Sequence, residues 1–256
     1  MTELVREPAE RDLADVLTED PLDVPGVVAR LTELQAVLDA MPPLFTSNPA
    51  ADFNRLYHTI TSNVLERLDS GRFADPEFLA LLDVEFAKRY FEALRLWSAG
   101  SPRTPGVWRA LFERMDGPDA RPLPSAAAGV NAHINFDLPF AVVSTFDQLG
   151  SQPTDGTPQH SDYLQVNDIF AEEIPGLRRG FLEDWQLCLD KINGNLDDWY
   201  QENLVEYSRD MAWRSAQRIW PVRHNAVAVA ERRAELDRNA TVLSQVLLSP
   251  FCAFLQ

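Results

Sequence analysis

The segment Asn131-Ala-His-Ile-Asn-Phe-Asp137 sets four polar side chains, Asn131, His133, Asn135 and Asp137, at alternate positions. It lies in a stretch, Pro122 to Phe146, whose only charged residue is Asp137. On a helix these residues form two i,i+4 pairs, Asn131 with Asn135 and His133 with Asp137. An Asp one turn from a His can fix the tautomer and orientation of the ring, leaving the other nitrogen to take or give a proton. A second chemistry is metal-assisted, with His133 and Asp137 as ligands to one divalent ion and Asp83 as a third. The sequence holds no HExxH unit, no paired Glu-x-x-His units and only four histidines, so no cofactor is predicted and a divalent metal stays an alternative. Nucleophilic and nucleotide routes have no support, because GxSxG, GxGxxG and GxxxxGK[ST] are all absent.

Two more residues break the apolar pattern of their own helices. Asp83 projects into a stripe formed by Leu79, Phe86, Ala87, Tyr90, Leu94 and Trp97. Arg209 lies among Val205, Ala212, Trp213, Ala216 and Ile219. A carboxylate or a guanidinium on a core-facing stripe needs a partner of opposite charge or several hydrogen bonds. Asp83 and Asp137 are the expected partners of Arg209, as a structural salt bridge or as part of a site. Pro139 adds a backbone effect. It has no N–H for the carbonyl of Asn135, so the central helix should kink there and leave that acceptor free.

The elements that must carry these residues read as helices throughout. Val24 to Met41 ends at Pro42-Pro43. Asn48-Pro49 and Asp75-Pro76 are start signals, a capping side chain followed by a proline at the first helical position. Gly71 and Gly100 close the two helices they open. Thr104-Pro105 starts another before Gly117. Leu123 to Gly150 is the nearly uncharged central segment, and Ser151 to Pro158 a loop. Asp162 to Glu173, Leu177 to Lys191, Leu196 to Trp220 and Arg223 to Leu248 complete the set. No stretch alternates as a strand, and no repeat of fixed period occurs. The fold class is all-α: a single globular domain, residues 24–256, of about nine or ten helices around a buried, proline-kinked central helix. Residues 1–23 carry eight acidic side chains and two arginines and read as a frayed or peripheral segment, with the wrong charge for a signal peptide.

Composition bounds the partners. The 256 residues are 45% hydrophobic and 24% charged, with a formal net charge of −16. That field repels phosphate backbones and anionic headgroups, which argues against nucleic-acid and membrane partners and for a small-molecule substrate. Cys188 and Cys252 are far apart and fit a reducing, cytoplasmic setting. The oligomeric state is left open.

The run Asn131-Ala-His-Ile-Asn-Phe-Asp-Leu138 resembles a family of uncharacterised, mostly actinobacterial helical proteins in which N-A-H-I-N-x-D-L is the signature. Leu82-Asp-Val-Glu-Phe-Ala87, Tyr90 and Arg209 with Ala212-Trp213 also resemble its pattern, so the likeness covers roughly residues 45–250. It implies that Asn131, His133, Asn135, Asp137, Asp83 and Arg209 form one recurrent constellation, and it implies no activity. Association with secondary metabolism would suggest a tailoring enzyme. The expectation is an enzyme acting on a small, largely apolar molecule by cyclisation, isomerisation or hydrolysis. His133 would be the acid/base and Asp137 its orienter. Asn131, Asn135 and Arg209 would be anchors, Asp83 would hold Arg209 or join the network, and Tyr90, Trp97 and Trp213 would line the pocket. The alternatives are the metal-dependent enzyme and a binding protein without turnover.

Overall fold

The computed structural model describes residues 13–41, 48–115, 121–177 and 198–249. Among them are nine α-helices and no strand. They are α1 (Val24–Ala40), α2 (Pro49–Asp69), α3 (Pro76–Ser98), α4 (Gly106–Phe112), α5 (Pro122–Ala132), α6 (Leu138–Gln148), α7 (Pro158–Leu177), α8 (Asp198–Ile219) and α9 (Ala226–Leu247). The helix expected over 177–191 lies almost wholly outside the described residues.

The starts are chemically explicit. Asp23 accepts from the Gly26 N–H, Asn48 from Ala50 and Ala51, Asp75 from Phe78, and Asn225 from Val227 and Ala228. Each supplies an acceptor to backbone donors that have no partner within the helix. Gly71 and Gly100 follow α2 and α3 at φ +66° and +63°, a left-handed conformation that only glycine adopts without cost. α4 has no such cap of its own. Asp237 of α9 accepts from Gly106 and Val107, both at 2.9 Å, and so fixes the start of α4 from another helix.

The nearly uncharged segment forms the axis of the domain. α2 packs along α5, α3 and α8 along α6, and α9 along both α4 and α5. Between α5 and α6 the chain makes one π turn, His133–Asp137, in which the Leu138 N–H donates to the His133 carbonyl five residues back. The bend expected at Pro139 takes this form, a widened turn. Pro139 falls at the start of α6, where its missing N–H is best tolerated. Gly129 lets α5 approach α2 closely: a Cβ there would lie 2.4 Å from the Phe53 ring.

The acidic segment 1–23 is not peripheral in its second part. Leu13 and Leu17 are buried in the core, and Arg95 of α3 donates to the Leu17 carbonyl and to Asp20. The two leucines, spaced i,i+4, outweigh the charge around them.

Candidate active site

The π turn carries the histidine into the core. His133 is 3% exposed, and its ring stacks on Phe86 of α3 at 3.4 Å and 7°. The Tyr57 ring meets it edge-on at 4.5 Å. Its Nδ1 lies 3.2 Å from Asp137 Oδ2, which also accepts from Trp108 Nε1 at 2.9 Å. Asp137 therefore holds the Nδ1 proton and leaves Nε2 with a lone pair. Arg89 of α3 is close enough for its charge to act on Asp137, and it donates to the Phe140 carbonyl and Ser144 Oγ of α6. Burial pushes its guanidinium down to about 10.

His133 Nε2 has no hydrogen bond among the described residues, although it is buried. It borders a cavity of about 50 Å³ between α2, α3, the π turn, α7 and α8. The polar groups on the wall are Tyr57, Thr61, Asp83, His133 and Arg209, and the rest is apolar. The Tyr57 hydroxyl, the Thr61 hydroxyl and Asp83 Oδ2 are likewise buried without a hydrogen bond of good geometry. Four such groups gather around this one space, while others, at Asn54, Arg89, Tyr90 and Ser125, lie away from it. A water needs roughly 10–15 Å³ in the same measure, so the space holds on the order of three or four waters, or a fragment of few atoms.

The electrostatics of the wall follow from its burial. Burial pushes the Asp83 carboxyl up to about 7, so it stays protonated well above the usual carboxylate range. Burial, and then the nearby Asp83, raise the Tyr57 phenol, with the Thr61 hydroxyl acting the other way. Burial lowers His133 more than the Asp137 hydrogen bond raises it, so the imidazole is neutral.

Several sequence expectations are redirected. Arg209, 3% exposed, pairs with neither Asp83 nor Asp137. Its Nε donates to Asn167 Oδ1 and its Nη2 to the Tyr163 carbonyl, both at 2.7 Å, and its guanidinium lies 4.4 Å above the Tyr163 ring. A carbonyl, an amide and a ring face replace the expected carboxylate. The asparagines point away from the cavity: Asn131 Nδ2 donates to the Ala240 carbonyl and Ser244 Oγ of α9, and Asn135 Nδ2 donates to Asn131 Oδ1. They tie α5 to α9.

The expected aromatic lining is elsewhere too. Trp213 donates to Asp155 and stacks on His160, and Trp97 packs on Phe112. Tyr90 meets the His133 ring at 6.2 Å without reaching the cavity wall. Asp83, His133 and Asp137 do not converge as metal ligands, and no group of three or more His, Cys, Asp or Glu residues among the described ones does.

What the sequence reading missed lies on α2. Tyr57 and Thr61 sit on the same face as Phe53, Ile60 and Val64. Polar atoms on an apolar stripe are the signal that singled out Asp83, and it was present here as well. Phe86, the stacking partner, and Trp108, the second donor to Asp137, carried no such signal.

The family of unknown function DUF5995 matches residues 24–250. The chain belongs to that family. No curated protein and no solved structure matches it.

Proposed function

We propose that this protein is an enzyme that moves protons on a small, largely apolar organic molecule bound between α2, α3 and the π turn. One observation carries the reading: His133 Nδ1 is committed to Asp137, while Nε2 stands unbonded at a cavity shared with the Asp83 carboxyl and the Tyr57 and Thr61 hydroxyls. His133 Nε2 is the base. Asp137, steadied by Trp108, is a positioning residue that stabilises the imidazolium as it forms. Asp83, neutral to about pH 7, is the acid.

The elementary step fits a carbonyl compound. Nε2 takes a proton from the carbon next to the carbonyl, the C–H electron pair becomes a C=C bond, and the Asp83 proton passes to the oxygen. Return of a proton to the same carbon gives exchange with solvent, and return to another gives isomerisation. The dry wall strengthens each of these contacts. The narrow space admits a small molecule, or only the reacting end of a larger one.

The experiment is deuterium exchange. Short ketones, aldehydes and 2-oxo acids are incubated with the protein in D2O, and incorporation is followed by NMR. The expected result is exchange above the buffer rate that His133→Gln and Asp83→Asn lower by about 10²-fold or more. A folded His133→Gln protein exchanging at the wild-type rate would rule the reading out. Binding without any exchange would favour the non-catalytic alternative.

A further inference from the structure

Arg209 is a buried cation with no carboxylate opposite it among the described residues. Of the five N–H groups on a guanidinium, two are used, by Asn167 and the Tyr163 carbonyl. Both acceptors are neutral, and the Tyr163 ring face gives only partial compensation. The side chain nevertheless forms part of the same cavity wall as His133. Those two bonds tie α8 to α7 and no Arg209 atom is among the buried groups without a partner, so what the side chain lacks is a counter-charge. Arginine keeps its proton even when burial opposes it, so the charge persists. The other carboxyl on the wall, Asp83, is held neutral to about pH 7 and supplies no counter-charge there.

We infer that the guest carries a carboxylate, which Arg209 receives at the α7–α8 side of the cavity while the reacting carbon lies toward His133. The position of the reacting carbon rests on the proton-transfer reading, and the carboxylate site stands on Arg209 and the cavity. The substrate class is then a short-chain organic acid with an apolar body, such as an oxo acid. A planar anion suits the planar donors of a guanidinium, and in a dry site that pairing outweighs the solvation the carboxylate gives up only because the cation is already desolvated. The chain's net charge of −16 opposes approach of an anion, so association should quicken as salt is added, the reverse of a site steered by a basic surface.

The test uses matched probes on the full chain, followed by NMR of the arginine side chains: propionate against propionamide and butyrate against butyramide, at constant ionic strength. The carboxylate should bind at least about ten-fold more tightly than its amide and shift the Arg209 Nε–H signal. Arg209→Met should reduce the preference to near one, while Arg209→Lys keeps part of it and identifies the signal. His133→Gln should leave the preference intact even if it abolishes exchange, which separates this inference from the proton-transfer reading. Equal affinity for acid and amide, no detectable binding of either acid, or an undiminished preference in folded Arg209→Met would overturn it. Should Arg209→Met not fold, an Arg209 signal that stays unmoved at saturating carboxylate in the wild type would overturn it equally.

Discussion

Asp83 and His133 have opposite effects on stability as pH changes. Between about pH 4 and 7 the native chain holds a proton on Asp83 that the unfolded chain has released. The stability Asp83 contributes is therefore full below about pH 4 and is lost as pH rises to about 7. Asp83→Asn keeps no such proton, so its stability relative to wild type should climb across that window by about 4 kcal/mol, read from urea melts at stepped pH. His133 is the reverse. Its lowered affinity for protons means that its contribution is present above about pH 6.5 and is lost as pH falls. His133→Gln should flatten the acid side of the profile, and an acid side as steep as wild type would count against a buried neutral ring. Asp83 and Arg209 were legible as anomalies because charge on an apolar stripe can be read from spacing. Their partners were not. Arg209 found a backbone carbonyl and an amide on α7, and no arithmetic within α8 reports what lies across from it.

At the scale of elements, the junctions carry more information than the helices. Asn131 donates to the Ala240 carbonyl and Ser244 Oγ and accepts from Asn135 Nδ2, so Asn131→Leu should cost about 1–3 kcal/mol by taking that partner from Ser244 and Asn135. Gly129→Ala should cost a similar amount, about 1–3 kcal/mol, since a methyl would meet the Phe53 ring that also contacts the Tyr57 and His133 rings. Thermal melts of both variants would check this. Because Phe53 borders the cavity, Gly129→Ala should also disturb the His133 ring signals in NMR, whereas Asn131→Leu should disturb them less. The helix starts at Pro49 and Pro76 and the glycine ends at Gly71 and Gly100 were readable because their chemistry is local. α4 starts where Thr104-Pro105 places it, but its capping acceptor is 131 residues away in sequence, on α9, which no local signal reports. The π turn was half legible: Pro139 announces a disturbed ladder, but whether the chain bends or widens depends on what α3, α8 and α9 press against it.

For the whole molecule, the excess of acid over base should show in its response to salt. A net charge of −16 repels itself, and screening shortens the reach of that repulsion to about 8 Å at physiological ionic strength. The melting temperature should therefore rise between low and physiological salt. A fall would mean that surface pairs such as Arg55–Asp39 and Arg223–Asp147 outweigh the repulsion. Among the described residues no helix is long and apolar enough to cross a membrane.

The π turn links this global arrangement to a single residue of slack. Excising one position between His133 and Asp137 would let the ladder close as a plain α-helix and leave α6 facing nearly as before, because the widened turn is what absorbs the extra residue. Phe146 would keep its place against Phe78 and Trp213, whereas His133 and its Asp137 tether would fall from i,i+4 to i,i+3 spacing. The surplus residue therefore serves the aim of one ring rather than the seating of α6, so a variant without it should keep its fold and lose the orientation of the imidazole.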